Sequence, residues 1–161
     1  MIIKPPKSII SQPSNFAKTP EDRKWYKLFE QSFSIEGLTY WQQYGIDTKT
    51  LQRFHVKALT RYESISNQGK PFTLVSTLEE PIFAYCMGKF VKVYRPKCKL
   101  RFLYGGEKVD DYVFGFQQLP SKGDMIFITG GEKDVLSLTA HGFNAICFNS
   151  ETAQIPENII E

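Results

Sequence analysis

The segment spanning residues 126–134 carries the most specific chemistry in the chain. It reads Ile-Phe-Ile-Thr-Gly-Gly-Glu-Lys-Asp, an apolar run followed by two glycines and two carboxylates. Glycines at the carboxyl end of a buried parallel strand, here Gly130 and Gly131, allow a tight turn, and open α/β sheets bind ligands at that end. Because Mg²⁺ prefers one or two carboxylates together with phosphate oxygens, Glu132 and Asp134 are candidate magnesium ligands. The alternative is that both carboxylates only stabilise the helix that begins there, through its dipole.

A second set of candidate residues is a run of cations between positions 89 and 101. It contains six cations and no acidic residue: Lys89, Lys92, Arg95, Lys97, Lys99 and Arg101. We predict a strand over residues 95–101, because alternation then places four cations on one face and Leu100, Phe102 and Tyr104 on the other. Such a basic strand suits the phosphates of single-stranded DNA or of nucleotides, with an affinity that falls with salt. The alternative is an edge strand that its lysines protect against aggregation.

Cysteine, histidine and charge counts argue against several classes of protein. The 3 cysteines form no C-x-x-C pair and the 2 histidines lie far apart, so no zinc site is predicted. An odd number of cysteines fits free thiols in a reducing compartment. No window approaches the roughly 18 apolar residues of a membrane span, so we expect a soluble, cytoplasmic protein with no membrane partner. The net charge of +3 is too small to indicate a nucleic-acid partner by itself.

The helices and strands that position these candidate residues are predicted to begin after an extended leader. Residues 1–18 contain prolines and small polar residues without periodicity, and they predict no folded element. Residues 19–22, Thr-Pro-Glu-Asp, supply a helix cap, a proline at the first helical position and an acidic residue. Trp25, Leu28 and Phe29 then follow at helical spacing. We therefore predict a first helix that begins at Thr19.

Two more helices are predicted before residue 56. One follows Ser34 and stops at Gly45, since glycine is favoured just after the end of a helix. The next is capped by Asp47, with Leu51 and Phe54 facing inward. Together with the first helix they form a small helical segment.

Strands and then a βαβ unit are predicted for the rest of the chain. Short apolar runs of period two after Val56 indicate a mostly antiparallel sheet. An apolar run over residues 125–128, the glycines, a helix over residues 132–141 and an apolar run over residues 145–148 predict a βαβ unit. Residues 156–161 resemble the start of another helix, which suggests part of a longer α/β domain. The alternative is a short terminal helix that caps the sheet.

The predicted fold class is α+β, with a small N-terminal helical segment, a mixed central β-sheet and a C-terminal βαβ unit. The corresponding segments are the leader over residues 1–18, the helical segment over 19–56, the sheet with the basic strand over 57–123, and the βαβ segment over 124–161.

In its order of motifs the chain resembles the Toprim-containing core of bacterial replicative primases and of phage primase-helicases related to Twinkle. The resemblance covers about residues 20–155 and is carried by residues 128–138 with 142–145, which look like the first Toprim motif, and by residues 38–54, 95–104 and 113–115, which look like the segments that precede it. On this basis the C-terminal βαβ unit is expected to be the start of a Toprim domain.

The resemblance implies a function for a longer parent protein, namely RNA primer synthesis on single-stranded DNA by Mg²⁺-dependent nucleotidyl transfer. Nucleotides are then substrates, and a replicative helicase in cis or in trans is an expected partner. Asp134 matches the aspartate of the motif and is expected to contact the metal. The rival interpretations are a non-catalytic domain that binds single-stranded DNA or associates with a helicase, and a Toprim nuclease.

Two departures from the family pattern bear on catalysis. The family has a glutamate at the end of the first Toprim strand, where this chain has Gly130, so Glu132 is the candidate replacement as catalytic group and metal contact. The later Asp-x-Asp motif that holds Mg²⁺ does not occur in the sequence, and the zinc-binding domain that precedes a primase core does not occur either. We therefore expect the chain by itself to bind rather than to polymerise.

Overall fold

The computed structural model describes residues 9–11, 23–107, 112–149 and 155. The chain folds as two compact units, each assembled from separated stretches of sequence: residues 1–37 with 55–108, and residues 38–54 with 109–161. The described residues contain three α-helices and mostly antiparallel sheet. The predicted α+β class is therefore confirmed at this level. None of the described helices is both long and apolar enough to cross a membrane.

The first unit is built on an antiparallel sheet of eight strands. In chain order the strands are β1 (Ile9–Ser11), β2 (Arg23–Lys24), β3 (Tyr26–Gln31), β4 (Val56–Ile65), β5 (Pro71–Val75), β6 (Ile82–Met87), β7 (Phe90–Tyr94) and β8 (Phe102–Glu107). Across the sheet, neighbouring strands follow the order β1-β3-β4-β6-β7-β8-β2, and β5 pairs with β4. One hydrophobic cluster packs on this sheet and consists of Tyr26, Leu28, Leu59, Tyr62, Ile82, Ala84, Val91 and Val93. The period-two pattern after Val56 thus predicted the antiparallel strands β4 to β8 of this sheet, but not β1, β2 and β3.

The helix predicted to begin at Thr19 is wrong for the residues that the structure describes. Tyr26–Gln31 is strand β3, which pairs antiparallel with β4. Tyr26 and Leu28 are 3% and 1% exposed, so burial there follows a period of two. Pairing with a strand about 30 residues away outweighs a local capping signal, which itself lies outside the described residues. Within the predicted leader, residues 9–11 form β1 against β3.

The strand predicted over residues 95–101 is also wrong. Tyr94 pairs with Phe102, so β7 and β8 form a hairpin and the intervening residues form its loop. The N–H of Arg95 donates to the carbonyl of Arg101 at 2.7 Å and closes the base of the loop. Pro96 lacks the N–H that a ladder requires, which accounts for the end of the strand. We call residues 95–101 the basic loop.

The second and third predicted helices are confirmed. Helix α1 (Ile35–Gln42) begins after Ser34, whose Oγ accepts the N–H of Gly37 at 3.0 Å. A turn with Gly45 at a φ of 71° follows it. Helix α2 (Thr48–Arg53) is capped by Asp47, which accepts the N–H of Thr50 at 2.8 Å. Satisfying the free N–H groups of the first turn is the physical reason that both starts were predictable.

The second unit contains the predicted βαβ arrangement. Strand β10 (Phe127–Thr129), helix α3 (Glu132–Ala140) and strand β11 (Ala145–Phe148) follow a short β9 (Val113–Phe114). Strands β10 and β11 are parallel, and β9 is antiparallel to β11. The prediction that residues 125–128 form a buried strand is wrong: their side chains are 37–66% exposed, because among the described residues β10 is an edge strand that pairs only with β11. The helix predicted from residue 156 lies outside the described residues.

Glycine at position 115 is required by the geometry of the second unit. Gly115 follows β9 with a φ of 91°, which disfavours residues with a Cβ. A Cβ at this position would lie 2.6 Å from the carbonyl oxygen of Ala145 and 3.0 Å from Cγ1 of Val135. The close approach lets the chain turn beside β11 and α3.

Candidate functional site

The turn after β10, residues 129–131, lies at the carboxyl end of a parallel strand, as predicted. We call it the glycine turn. Thr129 Oγ1 donates to the carbonyl of Gly131 at 3.2 Å. The same carbonyl accepts the N–H groups of Asp134 and Val135, both at 3.2 Å, so α3 starts directly from the turn. This arrangement brings the predicted glycines and the start of the predicted helix together.

Open space lies beside the glycine turn. Gly131 has an extended backbone, with a φ of −168° and a ψ of 164°, which any residue adopts. A Cβ at Gly131 would meet no atom within 4 Å, and Gly130 is exposed. No side chain caps α3 at Gly131. Within the described part of the chain, neither backbone strain nor crowding therefore calls for glycine at position 131.

Glu132 does not reach into this space. Its side chain is 2% exposed, and Oε1 accepts a hydrogen bond from the hydroxyl of Tyr112 at 2.7 Å. Tyr112 itself is 4% exposed. The carboxylate of Glu132, the candidate catalytic group and metal contact, is therefore held inside the unit, and its role stays a prediction. Asp134 is exposed, two residues further along the helix.

The two predicted magnesium ligands, Glu132 and Asp134, have different surroundings. No group of three His, Cys, Asp or Glu side chains with a suitable arrangement occurs among them. Of the two predicted ligands, Glu132 is buried against Tyr112, and Asp134 alone is exposed. Because Mg²⁺ usually retains several waters and binds one or two carboxylates together with phosphates, Asp134 can supply at most one such ligand. No catalytic step is assigned to these residues.

Helix α3 is fixed in the second unit by the turn between α1 and α2. Ser137 Oγ donates to the carbonyl of Tyr44 at 2.7 Å, and the ammonium of Lys133 lies 3.8 Å from the centre of the Tyr44 ring. Gly45 lies against the ring of His141, since a Cβ at position 45 would collide with Cε1 of that ring. The helical segment thus supports the helix that carries Asp134.

The basic loop presents cations to solvent. Lys97, Lys99 and Arg101 are exposed, and none of them forms an ion pair with a described residue. Cys98 lies between the two lysines and is half-buried; its N–H donates to the carbonyl of Arg95 at 3.2 Å. Burial raises the pKa of the Cys98 thiol, with Glu80 acting in the same direction and Arg95 opposing it. The loop therefore combines three exposed positive charges with a backbone hydrogen bond that shapes it.

The other three cations of the run have partners. Lys89 lies 3.6 Å from a carboxylate oxygen of Glu107. Arg95 lies 4.0 Å from a carboxylate oxygen of Glu80. Lys92 is 5% exposed, and its ammonium lies 4.5 Å from the centre of the Phe102 ring. Of the six cations in the run, Lys89 and Arg95 therefore lie beside carboxylates and Lys92 is buried.

Sequence reasoning missed Tyr112 and Tyr44. Tyr112 precedes its partner Glu132 by 20 residues, and Tyr44 precedes Ser137 by 93, so neither pair leaves a periodic signal in the sequence.

Comparison of the chain with known protein families, with curated proteins and with solved structures finds no match.

Proposed function

We propose that the chain is part of a primase-type Toprim protein and that its own contribution is to hold single-stranded DNA. The observation that carries the proposal is the group of exposed cations on the basic loop, Lys97, Lys99 and Arg101, none of which forms an ion pair with a described residue. The parallel βαβ unit with its glycine turn supports it, because it agrees with the element order of the family that the sequence resembles.

Binding by the basic loop is sequence-independent in this proposal. Lysine and arginine neutralise phosphates and release condensed counterions, so affinity falls as salt rises. A hairpin loop also offers its cations along a curved edge rather than on a flat face, which suits a flexible single strand. Nucleotides bind to the same cations through their phosphates, with lower affinity because they carry fewer charges.

Catalysis in this proposal belongs to a longer parent. In the described residues Asp134 is the exposed carboxylate at the glycine turn, and Gly130 occupies the position of the family's glutamate. Mg²⁺-dependent nucleotidyl transfer would require further carboxylates, and a replicative helicase would act as partner of that parent. The chain alone is therefore expected to make no primer when supplied with Mg²⁺ and nucleotides; primer synthesis by the chain would contradict this.

A second candidate is a non-catalytic domain that binds single-stranded DNA or associates with a helicase. The burial of Glu132 against Tyr112 favours it, because the carboxylate nearest the glycine turn is used within the unit. Extending the chain distinguishes the two candidates. A longer parent that contains a second acidic motif should synthesise primers under the first candidate and should synthesise none under the second.

DNA binding is tested by fluorescence anisotropy with a labelled thymidine oligonucleotide over a series of salt concentrations. The variant Lys97→Ala/Lys99→Ala/Arg101→Ala should bind more weakly. Its plot of log K against log salt should be flatter by about 2, since each phosphate contact to a single strand contributes roughly 0.7 to the slope.

A matched control removes the same charge elsewhere. Lys49, Lys70 and Lys122 are exposed and lie outside the basic loop. Their triple alanine variant should retain most of the affinity and the wild-type slope. Equal losses in the two triple variants would mean that net charge, and not the basic loop, accounts for binding, and the proposal would be rejected.

A further inference from the structure

An aromatic surface adjoins the basic loop on the hairpin of β7 and β8. Tyr94 and Phe102 stack with their ring centres 5.1 Å apart and an angle of 17° between the rings. Phe90 and Tyr104 stack at 5.9 Å and 23°. Residues 90, 92, 94, 102 and 104 share one face of the two strands, because Tyr94 pairs with Phe102 and Lys92 pairs with Tyr104. The opposite face carries Val91 and Val93 of the core.

Tyr104 is the exposed member of this surface. It is 40% exposed, whereas Phe90 and Tyr94 are 7% and 6% exposed. Aromatic rings in a strand are ordinarily buried for the free energy of removing apolar area from water. An exposed ring next to the three exposed cations of the basic loop is therefore available to contact a ligand.

The position of Tyr104 is fixed by its neighbours. The hydroxyl of the fully buried Tyr62 donates to the carbonyl of Tyr104 at 3.3 Å. The ammonium of Lys92 lies 5.8 Å from the centre of the Tyr104 ring, and Phe90 supports the ring by stacking. A ring held by a strand and a second ring is ordered before a ligand arrives, so binding costs little side-chain entropy.

The spacing from the basic loop matches a strand of nucleic acid. Tyr104 follows Arg101 by three residues of extended chain, or about 10 Å at the rise of a β-strand. A single strand that places phosphates on Lys97, Lys99 and Arg101 can therefore lay a base against Tyr104. Stacking on aromatic side chains requires an unpaired base, because bases in a duplex already stack on one another.

We propose, resting on the proposed function above, that Tyr104 is a base-stacking residue that makes the basic loop selective for single strands with bases. The basic loop supplies affinity for phosphate, and Tyr104 supplies the preference for a nucleobase. The ligand is a single-stranded nucleic acid with little dependence on base identity, since every base has a π face.

The test compares a thymidine oligonucleotide with an abasic oligonucleotide of the same length by anisotropy. Wild type should bind the thymidine strand more tightly. Tyr104→Leu keeps an apolar side chain beside Phe90 but has no ring, and it should lose on the order of 5- to 150-fold in affinity for the thymidine strand, the range for one stacked base. Its affinity for the abasic strand and its salt slope should be unchanged. Tyr104→Phe should behave as wild type.

Two controls separate the possible failures. Phe116→Ala removes another exposed ring, 45% exposed and outside the hairpin, and should change neither affinity. A near-ultraviolet circular dichroism spectrum of Tyr104→Leu checks its packing. If that variant is misfolded, the affinities of Tyr104→Phe and Tyr104→His for the two strands are compared instead.

Each outcome bears on one of the two proposals. If Tyr104→Leu keeps the wild-type preference for the thymidine strand, the role of Tyr104 is overturned while the basic loop stands. If wild type binds the two strands equally, base stacking is overturned as well. If wild type binds neither strand in a manner that depends on the loop cations, the proposed function fails and this inference fails with it.

Discussion

The hydroxyl of Tyr112 donates a hydrogen bond to Oε1 of Glu132 at 2.7 Å, and both side chains are buried. The pair ties the segment before β9 to the first turn of α3. Removing a hydrogen-bond donor from a buried carboxylate costs free energy, because the carboxylate has already given up its hydration. Glu132 therefore contributes to the stability of the second unit, and Asp134 is the acidic residue that α3 offers to solvent.

Removing that donor tests the structural role of Glu132. Tyr112→Phe should lower the free energy of unfolding by about 1–3 kcal/mol, the usual range for losing a hydrogen bond to a buried polar group. Urea denaturation followed by circular dichroism measures the change. Tyr44→Phe is the control, since the Tyr44 hydroxyl has no hydrogen-bond partner in the described part of the chain. An unchanged stability for Tyr112→Phe would show that the hydrogen bond contributes nothing.

Two glycines of the second unit should respond differently to alanine. Gly115→Ala introduces a Cβ at a φ of 91° and 2.6 Å from the Ala145 carbonyl oxygen, so we expect a loss of at least about 1–2 kcal/mol. Gly131→Ala places a Cβ in open space on an extended backbone and should change stability by no more than about 0.5 kcal/mol. Thermal denaturation compares them. Equal losses would contradict the geometry of both turns.

The cap of α2 predicts a pH dependence. The Thr50 hydroxyl and then its backbone N–H donate to Asp47 and lower the pKa of that carboxyl below its usual value. A carboxyl with a lowered folded-state pKa stabilises the fold at pH values above its unfolded pKa of about 3.9, and this contribution disappears as pH falls through the folded pKa. Asp47→Ala should therefore cost about 1 kcal/mol at pH 7 and less below about pH 4.

The matched variant for this cap is Asp47→Asn. An asparagine side chain still accepts the N–H of Thr50 but carries no charge, so most of the stability at pH 7 should remain. Urea denaturation at several pH values measures all three proteins. A gap between wild type and Asp47→Ala that stays constant from pH 7 to pH 3.5 would contradict the account of the cap.

How much of this architecture the sequence predicted depends on how far apart the interacting residues lie. Helices α1 and α2 were predictable because Ser34 and Asp47 act on N–H groups three residues away. The parallel unit was predictable from two apolar runs around a glycine turn. Strand β3 was not, because its partner β4 lies about 30 residues along the chain and the nearer capping signal favoured a helix.

In the candidate site, too, contacts between residues far apart in the sequence could not be predicted. The composition of the chain was enough to find the cations. Their alternation over residues 95–101 predicted a strand, although Pro96 within this segment favoured a loop. The partners of Lys89 and Arg95, namely Glu107 and Glu80, follow from hairpin pairing and the fold of the sheet, so the sequence alone could not separate paired cations from exposed ones. The position of Tyr112 beside Glu132 likewise has no local signal.

The three cysteines should differ in reactivity. Burial raises the pKa of Cys86 to about 12, with the carboxylate of Glu30 adding to the shift, and Cys147 is 0% exposed. Cys98 lies on the basic loop and is only partly covered. Because the thiolate is the reactive form, iodoacetamide at pH 8 should modify Cys98 first and the other two only after unfolding. Peptide mass spectrometry identifies the order; modification of Cys86 ahead of Cys98 would contradict it.

The most direct test of the central claim uses Cys98 as a reporter inside the native basic loop. Cys98 lies between Lys97 and Lys99 in the sequence, so we expect a single strand bound to those cations to hinder access to the thiol. The rate of Cys98 alkylation should fall at least severalfold when a thymidine oligonucleotide is added at low salt, and the rate should recover at high salt as the strand dissociates. An alkylation rate that stays the same at saturating oligonucleotide would contradict the proposal that this loop holds single-stranded DNA.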